Sequence, residues 1–118
     1  MADERQLSPR RAAELAENED AQLVDVRTRE EHEAGHIRGA RHVPLERLTD
    51  EAGELDSERP VLLYCRGGER SAMAAAAFAA SGWEAWSIEG GLAAWAAEGL
   101  PLEPQDGRVA ERSLLPSH

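Results

Sequence analysis

Hydrophobic positions along this chain fall into short apolar runs that alternate with Ala-rich stretches of helical spacing. Ala21-Gln22-Leu23-Val24-Asp25-Val26, Pro60-Val61-Leu62-Leu63-Tyr64 and Trp83-Glu84-Ala85-Trp86-Ser87-Ile88 have the length and residue types of strands. Gln6-Leu7 predicts a short first strand, and Ala40-Arg41-His42-Val43 a weak one closed by Pro44. Ser8-Pro9 marks a helix start, with Ser8 as N-cap and Pro9 at the first helical position. Ala13, Leu15 and Ala16 keep that helical pattern until near Asn18. Thr28 and Glu31 have the spacing of a capping box, and the helix they open must be short because Gly35 stops it. Leu45 to Leu55 is polar and irregular, with room for one or two helical turns. Ser71 to Ser81 predicts a helix ended by Gly82, and Leu92 to Ala97 a last helix ended by Gly99 and Pro101.

Strands alternating with helices predict an α/β fold, an open and mostly parallel sheet with helices on both faces. In such sheets ligands bind beyond the carboxyl ends of the strands. Asp25-Val26-Arg27, Cys65 and Glu89-Gly90-Gly91 each end a strand, so they should converge on one edge. Residues 1–104 form the expected single domain. Residues 105–118 show polar punctuation and no apolar period, and are expected to be a loosely attached, dispensable extension.

Composition narrows this picture. A chain of 118 residues is one domain in length and can bury roughly two-thirds of its unfolded surface. One cysteine excludes an internal disulfide, and no basic-then-apolar leader opens the chain, which points to the cytoplasm. The longest apolar run, Ala72 to Ala80, falls short of the roughly 20 residues that span a bilayer, so no membrane partner is expected. A formal net charge of −10 argues against nucleic acid, which is bound through phosphate neutralisation, and leaves positive charge a local matter.

That local charge surrounds the cysteine, in Tyr64-Cys65-Arg66-Gly67-Gly68-Glu69-Arg70-Ser71. The stretch lies where a buried strand ends and a helix is about to begin. Gly67 and Gly68 let the backbone curl and let an anion approach. The N–H groups of the curl and of the first helical turn lack internal partners, the helix dipole adds partial positive charge, and Arg66 and Arg70 add full charges. Such surroundings favour a thiolate. A lone cysteine in a soluble protein is more often a small buried hydrophobe, but that role predicts apolar neighbours on both sides. Here glycines, arginines and a serine follow, so Cys65 is expected to be an exposed, reactive thiol. His32-Glu33-Ala34-Gly35-His36 matches the H-E-x-x-H pattern of zinc proteases. That chemistry needs both histidines on one face of a stable helix plus a third ligand, and Gly35 breaks the helix between them. No metal is expected; instead His32 should be solvated, and His36 should pin a loop through a hydrogen bond.

Taken together these residues resemble the rhodanese family in its small single-domain form, over about Leu7 to Leu100. Asp25-Val26-Arg27, Glu31, Gly35-His36-Ile37-Arg38-Gly39-Ala40 and Pro44 resemble its first signature. Cys65 to Ser71 resembles its active-site loop, and Glu89-Gly90-Gly91 with Trp95 its C-terminal signature. His32 departs from the pattern, where Tyr or Phe is common. The resemblance implies a sheet of about five parallel strands flanked by helices. It implies transfer of a sulfane sulfur without a cofactor: Cys65 attacks the outer sulfur of thiosulfate, releases sulfite and holds a persulfide that cyanide, a thiol or a protein acceptor discharges. Arg66, Gly67, Gly68, Glu69, Arg70 and Ser71 would bind the substrate, while Asp25, Arg27, Glu31 and His36 would support them. Arg70 could instead hold the loop by pairing with Asp25 or Glu31, and Arg27 could orient the donor, hold the loop or only cap the strand edge. Three other classes compete. Phosphatases and arsenate reductases on a similar scaffold need Cys and Arg six positions apart, and here Arg70 comes one residue early. Non-catalytic modules usually lack the cysteine. A sulfur carrier serving a protein partner shares the chemistry and differs in donor and acceptor.

Overall fold

The computed structural model describes residues 5–104 and 107–110. Strands β1 (Gln6–Leu7), β2 (Gln22–Asp25), β3 (Arg41–His42), β4 (Val61–Tyr64) and β5 (Ala85–Ile88) form one sheet in the order β1-β5-β4-β2-β3, every pair parallel. The helices are α1 (Pro9–Asn18), α2 (Arg29–Ala34), α3 (Leu48–Glu51), α4 (Glu69–Ala80) and α5 (Gly91–Ala97). The expected five-stranded α/β architecture is therefore the one observed. Single turns of tighter helix flank α3, in the stretch that sequence left irregular.

β4 lies at the centre because it alone is apolar at every position, as a strand covered on both faces must be. Side chains alternate across a strand. Val61, Leu63 and then Cys65 therefore face Ala74, Ala75 and Phe78 of α4, while Leu62 and Tyr64 face α1 and α5 through Ala12, Leu15, Leu92 and Trp95. On β5, Ala85 and Ser87 follow the same parity towards α4, and Ser87 lies opposite Leu63 in the ladder.

Helix starts follow local chemistry. Ser8 Oγ accepts from Arg11 N, and Pro9 occupies the first turn. Thr28 and Glu31 form the complete capping box. α4 differs from expectation by starting at Glu69 rather than Ser71. Its N-cap is Gly68 at φ 102°, so the helix begins inside the glycine curl without the side-chain cap that would have signalled it.

The end of the chain also departs from expectation. Glu103 pairs antiparallel with His36, their amides donating to each other's carbonyls at 2.7 and 3.0 Å. Arg108 N donates to Ala34 O at 2.9 Å, and Val109 packs on the cluster between the sheet and α1 and α5. Contacts thus continue past the boundary expected at residue 105; residues 105–106 and 111–118 of the proposed extension lie outside the described residues. Among the described residues no helix is long and apolar enough to cross a membrane.

Gly35 sits under this returning segment. Its φ of 173° is open to any residue; what it lacks is room, since a Cβ there would strike the backbone of Arg108. Gly35→Ala should cost about 1–3 kcal/mol by overpacking, read from the urea midpoint. In a chain ending at Pro104 the same substitution should cost almost nothing, because its steric partner is gone. Equal losses in both backgrounds would show that the segment does not press on Gly35.

Candidate active site

Strand parity decides where the cysteine points. Cys65 continues β4 by one residue, so its side chain turns beneath the start of α4 and is fully buried, in place of the exposed thiol expected. It packs with the apolar cluster, as a structural cysteine would, yet its sulfur also receives two donors. Gly68 N donates to Sγ at 3.1 Å and Ser71 Oγ at 3.6 Å. The sulfur is the floor of a cup whose wall is the curl Cys65–Arg70.

The orientation of that wall is set from α5. Leu92 N donates to Cys65 O at 2.8 Å, and Ala93 N to Arg66 O at 3.0 Å. With these carbonyls bound to α5, the amides of the same peptide groups, Arg66 N and Gly67 N, point away from it, and Gly68 N follows onto the sulfur. Close approach is possible because Gly91 has no side chain: a Cβ there would collide with the carbonyls of Cys65 and Arg66. Gly68 faces Gly90 less tightly, a Cβ there lying 3.2 Å from Gly90 N. The Glu89-Gly90-Gly91 turn, noticed in sequence as a strand end, is thus the back wall of the cysteine loop.

The flanking charges pair off. Arg70, expected to orient a donor or to hold the loop, meets Glu31 with Nη2–Oε2 at 3.4 Å and little exposure on either side. Glu31 also accepts from Thr28 N at 3.0 Å, so one carboxylate ties the start of α2 to the cysteine loop. Arg27 is fully buried and grips Asp25 through two bonds, Nε–Oδ1 at 2.8 Å and Nη2–Oδ2 at 2.7 Å, with Nη2 also donating to Gly35 O. Its Nη1 has no hydrogen-bond partner among the described residues, and the guanidinium lies 5.6 Å from the Tyr64 ring centroid. Arg66 and Gly67 are half-buried at the mouth, while Glu69 is exposed and folds its carboxylate back over Gly67. Glu69 thus brings negative charge to the rim of a site expected to bind an anion.

His32 is held rather than solvated. Its Nδ1 donates to Asp25 Oδ2 at 2.7 Å, and its ring lies between those of His36 and His42, with centroids 4.0 and 4.6 Å away. His36 Nδ1 donates to His32 O, and His42 Nε2 to Arg27 O, both at 2.8 Å. The rings of the H-E-x-x-H match therefore stack plane to plane. Among the described residues no group of three or more His, Cys, Asp or Glu is placed to hold a metal ion. A separate cleft of about 630 Å³ runs past Ala16, Leu23, Ile37 and Trp95 and includes no residue of the cysteine loop.

A cysteine at the end of a central parallel strand, met by the Gly68 amide and backed by a glycine turn, defines an α/β protein with a cysteine-centred loop. Residues 8–98 match the family model described as Rhodanese-like domain, and the chain belongs to the rhodanese family. It is 34% identical over 110 residues to the thiosulfate sulfurtransferase GlpE of Pseudomonas putida, covering 92% of this chain and 99% of that one. It is 42% identical over 76 residues to the protein YqhL of Bacillus subtilis, spanning 64% of this chain but only 60% of that relative. The solution structure of the rhodanese-like domain of Alr3790 from Anabaena superposes with a TM-score of 0.75 at 31% identity, covering 98% of this chain and 88% of that one.

Burial and pairing fix the titration of the flanking groups. Burial pushes the Asp25 carboxyl up, but the bonds from Arg27 and His32 outweigh it and hold Asp25 below the usual range. Glu31 behaves alike, burial being outweighed by the Thr28 amide and Arg70. His32 is pushed below its ordinary value by burial, with His36 and His42 adding to the push and Asp25 opposing it. All three groups bind fewer protons folded than unfolded, so each loses stabilisation as pH falls. Stability should drop first below about pH 6.5, the ordinary histidine range, and again below about pH 4. His32→Gln, which can still donate to Asp25, should remove the first step alone. Urea unfolding across pH would show this; stability that rises between about pH 7 and 5 would contradict it.

Proposed function

We propose that the protein is a sulfurtransferase that carries a sulfane sulfur on Cys65. One observation carries this reading: the Gly68 amide donates to the buried Sγ at 3.1 Å, while the loop's second arginine is drawn aside to Glu31. This setting suits one added sulfur atom. A phosphoryl group needs several oxygens satisfied at once and an in-line path for the leaving group. Enzymes that provide this place an arginine six residues after the cysteine; position 71 here is a buried serine.

The donor is thiosulfate or another sulfane-bearing anion, as the name of the Pseudomonas putida relative suggests. The Cys65 thiolate attacks the outer sulfur, the new Sγ–S bond forms, the S–S bond of thiosulfate breaks, and sulfite leaves with the electron pair. Inward amides then stabilise the anionic outer sulfur as an oxyanion hole stabilises oxygen. Arg66 at the mouth attracts the incoming anion. Cyanide, a small thiolate or a protein thiolate attacks the outer sulfur in turn, forming thiocyanate or a new persulfide and returning the Cys65 thiolate.

Mass spectrometry of the intact protein after thiosulfate treatment tests this directly. One added sulfur should be found, removable by cyanide and absent in Cys65→Ala. Efficient turnover of aryl phosphates with no sulfur adduct would overturn the assignment.

A further inference from the structure

The strand next to the cysteine carries a polar group that the mechanism above leaves unused. Ser87 of β5 is fully buried and faces α4 among apolar side chains. Burying a hydroxyl there is unfavourable unless it is hydrogen-bonded. Its Oγ lies 2.7 Å from Ser71 Oγ, the shortest of the contacts that Ser71 makes. Ser71 Oγ in turn reaches Cys65 Sγ at 3.6 Å and Gly68 O at 3.3 Å.

Proton counting gives this cluster a direction. A hydroxyl has one hydrogen to donate and two lone pairs that accept. The carbonyl of Gly68 only accepts, and so does a sulfur that carries negative charge. Ser87 is therefore the neighbour that can donate to Ser71. If Ser71 donated to Ser87 instead, its hydrogen would turn away from the sulfur. We propose that Ser87 is a positioning residue: its hydroxyl donates to Ser71 and so keeps the Ser71 hydrogen on the side of Gly68 O and Cys65 Sγ, where it turns to Sγ whenever that sulfur is anionic. Linked donors polarise one another, which strengthens the bond that reaches the sulfur.

The chemistry says when this matters. Sγ is anionic before it attacks the donor and becomes anionic again as the acceptor strips off the outer sulfur. It is neutral in the persulfide between. The relay thus favours the thiolate as resting nucleophile and as leaving group, and acts at a different atom from the amides that face the outer sulfur. This part rests on the sulfurtransferase reading; the relay itself is a property of the thiolate.

Two measurements on Ser87→Ala, Ser87→Thr, Ser71→Ala and the double alanine variant test the proposal. The first is reaction of Cys65 with methyl methanethiosulfonate, in which the thiolate takes the methylthio group and methanesulfinate leaves. The second is single-turnover discharge of the persulfide to cyanide, followed by intact mass. Ser87→Ala should slow both by about fivefold, the scale of one net hydrogen bond. Ser87→Thr, which restores the hydroxyl, should recover most of the rate, and Ser87→Ala should have almost no further effect once Ser71 is alanine. A purely structural role would instead give additive losses and track stability. Wild-type rates in Ser87→Ala, or equal slowing with and without Ser71, would overturn the relay. If wild type reacts with the methylthio reagent with the expected coupling but takes no sulfur from thiosulfate, the relay stands and the sulfurtransferase reading falls. A wild-type Cys65 inert to the reagent would overturn both.

Discussion

Two backbone hydrogen bonds hold the site in shape: Leu92 N to Cys65 O and Ala93 N to Arg66 O. A peptide group is polar in one direction, so binding the first two carbonyls of the loop from behind turns the amides of Arg66 and Gly67 away from α5, and the next amide, Gly68 N, reaches the sulfur at 3.1 Å. The bonds are short because β5 is the parallel neighbour of β4, and its carboxyl end is level with Cys65. They also require bare backbone at Gly91 and Gly68, where a Cβ would meet backbone atoms of the facing turn. The cup is therefore an outcome of sheet order as much as of the loop sequence. A cysteine loop of the same composition on an edge strand would lack its back wall.

The opposite side is held by charge. Asp25 with Arg27 and Glu31 with Arg70 form two pairs at the carboxyl end of β2, the other neighbour of β4. Buried pairs of this kind seldom add much net stability, because desolvation offsets attraction, but removing one partner leaves a charge stranded. Their effect is positional: they fix α2 and the Gly35 turn against the loop and take Arg27 and Arg70 away from an incoming anion. Under the proposed function, anion binding then falls mainly to the loop amides, with Arg66 beside them. The histidine stack closes the outer side of this assembly by completing the donors to Asp25 and the carbonyl of Arg27.

Much of this was legible in the sequence, where the information is local or periodic. The continuous apolar run Val61 to Tyr64 gives the central strand, Thr28 and Glu31 give a capped short helix, and the two glycines after Cys65 give a backbone curl. The three signatures add the family, and with it the likeness to sulfurtransferases. What sequence did not show depends on parity and on partners far apart in the chain. Cys65 was expected to be exposed because its neighbours are polar, yet strand parity buries it. Ser87 looked like one polar residue in a strand; its meaning lies in Ser71, sixteen positions earlier. The available signal was a hydroxyl on the inward face of an apolar strand. No local pattern reveals the stack of His32 with His42, so the sequence by itself points to a solvated His32. Residues 107–109 have no period, and only the space above Gly35 explains why they pack.

The central claim is that loop amides, and not side-chain cations, hold the transferred sulfur. Amide chemical shifts of the protein before and after loading with thiosulfate test it most directly. The expected result is a set of large downfield proton shifts confined to Gly67, Gly68, Glu69 and Arg70, reversed by cyanide, with Leu92 and Ala93 unchanged because their bonds to the loop carbonyls persist. Sulfur loading that leaves the Gly68 amide where it was, or that shifts residues around the Trp95 cleft instead, would contradict it.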